Sequence, residues 1–184
     1  VAVEREAGLI FCASTPDDRR KRVEVLVDAF ALVAQRLPEC RLVLAGAASD
    51  EVRGALRQRL PDAVSGRLEF LGEVPAEELA RHYARAALTC LPSVNEAFGM
   101  VLIESMASGT PVVGARHGAI PELVDASVGV TFEPDEPASC AEAIVEVLDR
   151  SADHSIAEAC RKRAGQFDWD TVGPEYLAIY EEIA

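Results

Sequence analysis

The chain has 184 residues, 49% hydrophobic, 5% aromatic and 27% charged, which fits one soluble globular domain with an aliphatic core and not a disordered chain. Its formal net charge of -13 argues against a nucleic-acid partner or an anionic-membrane surface, since both call for a positive field. Any anionic ligand must therefore be held locally. Cys12, Cys40, Cys90, Cys140 and Cys160 are odd in number and scattered, with no C-x-x-C pair and no Cys/His cluster, so they read as reduced core residues. No apolar run reaches the roughly 18 residues of a membrane span, and no basic-then-apolar leader opens the sequence. A cytoplasmic location is expected, with peripheral membrane attachment open for the complete protein. The first residue, Val1, is not Met, which suits a segment of a longer protein.

In chain order, short apolar runs alternate with segments of helical period, the pattern of an α/β domain with a mainly parallel sheet. The expected strands are "LIFCAS" from Leu9, "RLVLAG" from Arg41, "RLEFLG" from Arg67, "ALTCLPS" from Ala87, "TPVVGA" from Thr110 and "VGVTF" from Val128. Each is nearly continuous in apolar residues, as strands covered on both faces should be. Between the first two, "RVEVLVDAFALVAQRL" sets Val23, Leu26, Val27, Phe30 and Val33 on one stripe of a helix. "PAEELARHYARA" opens with Pro75 and acidic residues, as a first helical turn prefers. "ASCAEAIVEVLDR", "SADHSIAEACRKRAG" and "DWDTVGPEYLAIYEEIA" complete the helices, with a kink or late start expected at Gly173-Pro174. Trp169, Tyr176 and Tyr180 read as packing for the last of them, and His82 and His154 as exposed and uninvolved. The economical architecture is a Rossmann-like doubly wound sheet with helices on both faces. Ligands of such sheets bind beyond the carboxyl ends of the strands. Neither G-x-G-x-x-G nor G-x-x-x-x-G-K-[ST] is present, which disfavours a nicotinamide enzyme and a P-loop nucleotidase.

The stretch "LTCLPSVNEAFGMVLIESMASGTPVV" leaves a strand, turns, and should start a helix near Phe98 or Gly99. The first amides of that helix lack intrahelical acceptors and carry the positive end of the macrodipole, a local anion site on an acidic protein. Gly99 would let a phosphate or sugar approach the backbone. Glu104 lies four to five residues in, roughly 6–8 Å along the axis. Its apolar neighbours imply a mostly buried helix, in which a carboxylate needs donors. Ribose hydroxyls would supply two, leaving Glu96 to face whatever is attached beyond the phosphates. Alternatively, Glu96 favours the helix dipole and Glu104 meets an amide or solvent. Gly109 should end the helix as its C′ residue.

"PSVNEAFGMVLIESMASGTPVV" resembles the E-x7-E signature of family four retaining, nucleotide-sugar-dependent glycosyltransferases, whose fold is called GT-B. "RLEFLGEVPAEELARHYARAALTCLPS", "RHGAIPELVDASVGVTFEPDEPASCAEAI" and "FDWDTVGPEYLAIYEEI" extend the likeness over most of the chain from Leu9 onward. The family has two Rossmann-like domains, and this chain resembles only the second, donor-binding one. Residues 1–184 are thus expected to form that one domain, with the N-terminal acceptor domain missing. The resemblance implies that Glu104 holds the ribose and Glu96 the transferred sugar. It sets the amides of Ala97, Phe98, Gly99, Met100 and Val101 against sugar hydroxyls and the distal phosphate, and Glu73 and Val74 near the base. In the family an arginine and a lysine clamp the diphosphate. Here Lys21 is the best match to the lysine, with Arg20 a close competitor, and the arginine falls on Ser14 or is displaced to Arg19 or Arg20. Arg19 and Arg22 taken singly read as solvated. A second departure is "HGAIPE", where Ala119 replaces one of two paired glycines and would narrow the approach to the sugar. His117, near that loop, reads as structural.

The resulting expectation is the donor-binding half of a retaining glycosyltransferase that uses a nucleotide diphosphate sugar as co-substrate, with no metal and no other cofactor implied. A nucleotide-sugar epimerase, a non-catalytic nucleotide-sugar-binding domain, and a doubly wound protein binding some other anion remain as alternatives. Base, sugar, acceptor and oligomeric state are not encoded in any motif found.

Overall fold

The computed structural model describes residues 5–183, apart from the side chain of His154. The six expected strands are β1 (Leu9–Ala13), β2 (Arg41–Ala45), β3 (Leu68–Gly72), β4 (Leu88–Leu91), β5 (Val112–Ala115) and β6 (Gly129–Phe132). They form one sheet in the order β3-β2-β1-β4-β5-β6. Every strand pair is parallel, for example Phe11 beside Val43 and Val113 beside Val130.

The side-chain alternation of β1 explains why its sequence is apolar throughout. Ile10 and Cys12 enter the core on one face, while Leu9, Phe11 and Ala13 enter a second cluster on the other. The first face is covered by α1 (Val23–Arg36) and α7 (Pro137–Arg150), which pack against each other. The predicted stripe Val23, Leu26, Val27, Phe30 and Val33 is fully buried there. The second face is covered by α4 (Ala76–Arg85), α5 (Met100–Ala107) and α8 (His154–Gly165). Helices on both faces of a parallel sheet make the fold the Rossmann-like doubly wound α/β architecture that the sequence predicted. All five cysteines are buried free thiols.

Three helices escaped the sequence reading: α2 (Asp50–Gln58), α3 (Asp62–Ser65) and α6 (Ile120–Leu123). The first buries only Leu56 and the second only Val64, so neither carries an apolar stripe long enough to read. The helix after β4 begins at Met100, one or two residues later than expected, because Gly99 adopts a left-handed φ of 86° and cannot continue a helix backwards. Gly109 follows its end at φ 84°, as expected of C′.

Two further expectations are corrected. The α5 helix is not mostly buried: Leu102, Ile103, Ser105 and Met106 are inside, whereas Met100, Glu104 and Ala107 form an exposed stripe. The last helix, α9 (Trp169–Ile183), starts without delay, carries Pro174 inside it and buries no residue. Trp169 and Tyr176 face each other at 6.4 Å, yet they and Tyr180 do not seat the helix on the sheet. Among the described residues no helix is long and apolar enough to cross a membrane.

Candidate functional site

The strand order reverses between β1 and β4, so the loops after these two strands diverge above the carboxyl end of the sheet and leave a crevice. The first loop, residues 14–22, is shaped by its own acids. Asp17 accepts from the Ser49 amide (2.9 Å) and hydroxyl (2.6 Å), which ties the loop to the start of α2. Asp18 accepts from the Arg20 amide at 3.0 Å and so caps a single 3-10 turn, Arg19–Lys21. That turn sends successive side chains in different directions. Arg20 swings back onto Asp18, its Nη2 2.8 Å from Oδ2, and is 73% exposed. Lys21 crosses the switch point instead, and its Nζ donates to Glu96 Oε2 at 3.0 Å. The Arg20 carbonyl accepts from the Val94 amide at 2.9 Å, so backbone as well as side chains join the two loops.

Lys21 and Glu96 side chains are 28% and 20% exposed, shielded enough for their attraction to exceed that of an ordinary surface pair. Arg20 is solvent-facing by contrast, whereas Asp18, at 27%, is about as exposed as Lys21. The Asp18 carboxyl is held down at about 2, chiefly by the hydrogen bond from the Arg20 side chain. Of the two basic residues the sequence left in competition, Lys21 reaches the crevice and Arg20 is engaged elsewhere. Arg22 is also tied down, its Nε 3.0 Å from Asp135. Ser14 donates its amide to the Ala45 carbonyl at 2.8 Å, while its buried hydroxyl has no partner among the described residues.

The second loop, residues 92–99, presents Glu96 through constraints that sequence reading missed. Asn95 has a left-handed φ of 58°, and its amide donates to His117 Nδ1 at 3.0 Å. His117 thus fixes the residue before Glu96, which makes it structural, as expected. Gly118, φ 59°, passes so close that a Cβ there would lie 2.7 Å from the Glu96 carbonyl oxygen. Only glycine fits that position. Its neighbour Ala119 has φ -76° and accommodates its methyl group without backbone strain. Phe98 is exposed and meets Phe167 edge-on at 5.9 Å.

Among the described residues, the amides of Ala97, Phe98, Gly99, Met100 and Val101 donate to no acceptor; the Leu102 amide, bonded to the Gly99 carbonyl at 2.9 Å, is the first that does. Five consecutive open donors at a helix start make a ready anion cradle. Glu104 stands one turn beyond Met100 on the exposed stripe of α5. Its apolar neighbours suggest burial, but Glu104 is exposed, and its Oε2 accepts from the Tyr83 hydroxyl at 3.0 Å. The adjacent Ser105 is buried with its hydroxyl 2.8 Å from that of Thr89 on β4, which fixes the rotation of α5 and hence the side Glu104 faces.

Beyond β1, β2 and β3 lies a cavity of about 400 Å³ lined by Ala13, Thr15, Gly46, Glu73, Val74 and Leu79 among others. Glu73 and Val74 are the pair placed near the base by the sequence resemblance. A room of this size with small-residue walls suits a flat ring, since binding pockets run from about 300 to 1,000 Å³.

A sheet wound in this order, with its charged side chains gathered at the switch point, has the architecture of GT-B glycosyltransferases. The family model for glycosyl transferases group 1 matches residues 6–150, and the chain belongs to that family. It is 32% identical over 171 residues to the D-inositol 3-phosphate glycosyltransferase of Corynebacterium diphtheriae, an alignment covering 89% of this chain and 40% of that protein. In three dimensions it matches sucrose-phosphate synthase from Thermosynechococcus elongatus with a TM-score of 0.82 at 26% identity, covering 97% of this chain and 46% of that one. It also matches Anabaena HepE in complex with UDP-glucose with a TM-score of 0.80 at 25% identity, covering 96% and 49%. The chain therefore spans less than half the length of these proteins. The family read from the E-x7-E stretch is borne out.

Proposed function

We propose that the chain is the donor-binding half of a retaining glycosyltransferase that takes a sugar from a nucleoside diphosphate. The observation that carries this reading is the Lys21–Glu96 pair lying across the switch point beside five open amides. A cation and an amide cradle suit a diphosphate, and an adjacent carboxylate suits sugar hydroxyls. The base enters the cavity walled by Val74 and Glu73, the ribose hydroxyls donate to Glu104, and the phosphates meet Lys21 and the amides of residues 97–101. Glu96 holds the transferred sugar. When the bond to the anomeric carbon breaks, negative charge grows on the diphosphate oxygens, where Lys21 and the amides are already oriented, so little reorganisation is needed. The complex of the related HepE with UDP-glucose supports a nucleotide sugar as ligand.

We assign the acceptor to a second domain that closes over the crevice and excludes water. Support for such a domain comes from α9, whose Trp169, Tyr176, Leu177, Ile179, Tyr180 and Ile183 are 54% to 77% exposed. Trp169, Tyr176, Tyr180 and Ile183 recur at helical spacing on one stripe, an apolar patch that a monomer rarely leaves uncovered. On this account the 184 residues alone bind donor weakly and transfer no sugar.

The test needs no acceptor. The complete protein is incubated with UDP-α-glucose and GDP-α-mannose, and the sugar slowly released to water is followed by proton NMR before it mutarotates. Retention predicts the α anomer first. Early β anomer, or an isomerised donor, would refute the reading.

A further inference from the structure

Tyr83 is the largest fully buried side chain of the molecule, 1% exposed, yet its hydroxyl reaches an exposed carboxylate, Glu104 Oε2 at 3.0 Å. A glutamate on the open stripe of a helix ordinarily samples several rotamers. Here one oxygen is held by a group that cannot move. The Tyr83 ring packs edge-on against Phe11 at 5.3 Å and 89°, and its carbonyl accepts from the buried Thr110 hydroxyl at 2.7 Å. The same apolar cluster joins Tyr83 to Val74 and Leu79, which line the cavity, and to Val101 of α5. Tyr83 therefore stands between the cavity wall and the helix bearing Glu104. Oε1 of Glu104 has no hydrogen-bond partner among the described residues and remains open to a ligand.

We propose that Tyr83 is a positioning and specificity-determining residue: its hydroxyl orients the Glu104 carboxylate toward a vicinal diol, and so makes the site select ribonucleotides over deoxyribonucleotides. This rests on the assignment of Glu104 to the ribose. A fixed carboxylate accepts from two adjacent hydroxyls without first losing its own freedom, whereas a free one loses part of that gain to ordering. Burial first, and then the Glu104 charge, push the Tyr83 phenol well above its ordinary value, so it stays a donor throughout the neutral range.

The experiment compares UDP with 2′,3′-dideoxy-UDP, and GDP with its dideoxy counterpart, by calorimetric titration of wild type, Tyr83→Phe and Glu104→Ala. Wild type should prefer the tighter-binding ribonucleotide over its dideoxy form by about tenfold or more, as charge-assisted hydrogen bonds do. Glu104→Ala should abolish that preference. Tyr83→Phe should cut it about three- to tenfold through the ribonucleotide alone, leaving dideoxynucleotide affinity unchanged, because only the orientation of the carboxylate is lost. If Tyr83→Phe keeps the full preference, or weakens both nucleotides equally, while Glu104→Ala removes it, the positioning role is overturned and the ribose assignment stands. If Glu104→Ala keeps the preference, or wild type binds neither nucleotide, both fall. Should Tyr83→Phe fail to fold, wild type labelled with 3-fluorotyrosine gives a second measurement, since the other two tyrosines, Tyr176 and Tyr180, are exposed on α9. The buried fluorine resonance should shift with the ribonucleotide and not with the dideoxynucleotide; equal shifts overturn the role.

Discussion

Replacing Glu96 by glutamine should tighten the binding of UDP while removing any advantage of UDP-glucose over UDP. In the free chain the Lys21 ammonium is 3.0 Å from Glu96 Oε2, with side chains 28% and 20% exposed. At that distance the bare attraction is about 5 kcal/mol for an effective dielectric of about 20. Desolvation and the fixing of two long side chains offset most of it, leaving a net of about 1 kcal/mol. A diphosphate must share or displace that contact, and it also approaches a carboxylate of its own sign. Glutamine is nearly isosteric and lifts both penalties, so the Kd for UDP should fall about fivefold, the equivalent of about 1 kcal/mol. UDP-glucose loses the charge-assisted bonds from its sugar hydroxyls to the carboxylate in the same variant, and its Kd should become no better than that of UDP. Lys21→Met acts in the opposite sense, weakening both ligands about tenfold or more by removing a charged donor from the phosphates. Calorimetric titration of the three proteins reads all six constants. If Glu96→Gln weakens UDP, or leaves it unchanged with folding intact, Lys21 and Glu96 do not serve phosphate and sugar in the way proposed.

Gly118→Ala forces a Cβ to within 2.7 Å of the Glu96 carbonyl oxygen at a left-handed φ of 59°; it should cost about 1–2 kcal/mol and lower the melting temperature, whereas an unchanged melt would contradict the packing described. The Asp18 carboxyl, held at about 2 mainly by the Arg20 side chain, is depressed on folding. Its stabilising contribution is complete above the unfolded value of about 3.9 and disappears as pH falls through about 2; Arg20→Ala should move the carbon-13 titration midpoint of Asp18 up toward about 3.9, and an unmoved midpoint would rule out the pairing. Burial pushes the Cys12 and Cys160 thiols up to about 12. At pH 8 they are almost entirely protonated, so an aromatic disulfide reagent should modify them only as fast as the chain opens; rapid labelling of the native protein would disprove their burial.

Strand positions were legible because each strand of a sheet covered on both faces is a short apolar run, and β1 through β6 all lie where those runs occur. The α5 site was legible for a similar reason: a strand, a turn with Pro92, and a glycine before an apolar helix locate an open helix end. What stayed hidden is tertiary. Sequence spacing showed that Glu104 follows Glu96 by eight residues, with Glu96 before the helix and Glu104 inside it, but not that α5 turns Glu104 outward, which depends on the Ser105–Thr89 contact between distant elements. The choice between Arg20 and Lys21 was undecidable from composition because it rests on Asp18 capping a single turn. Tyr83 read as part of an ordinary amphipathic helix, and its hydroxyl matters only because α4 and α5 lie side by side. The same limit explains α9, where aromatic residues at helical spacing look alike whether they meet this sheet or another surface.

The most direct measurement is a titration of the isotope-labelled chain with UDP-glucose, followed through backbone amide shifts. The account predicts that the largest changes fall on residues 97–101, Lys21 and Val74, three segments far apart in sequence that share one crevice. Changes confined to another part of the molecule, or none at millimolar ligand, would contradict it.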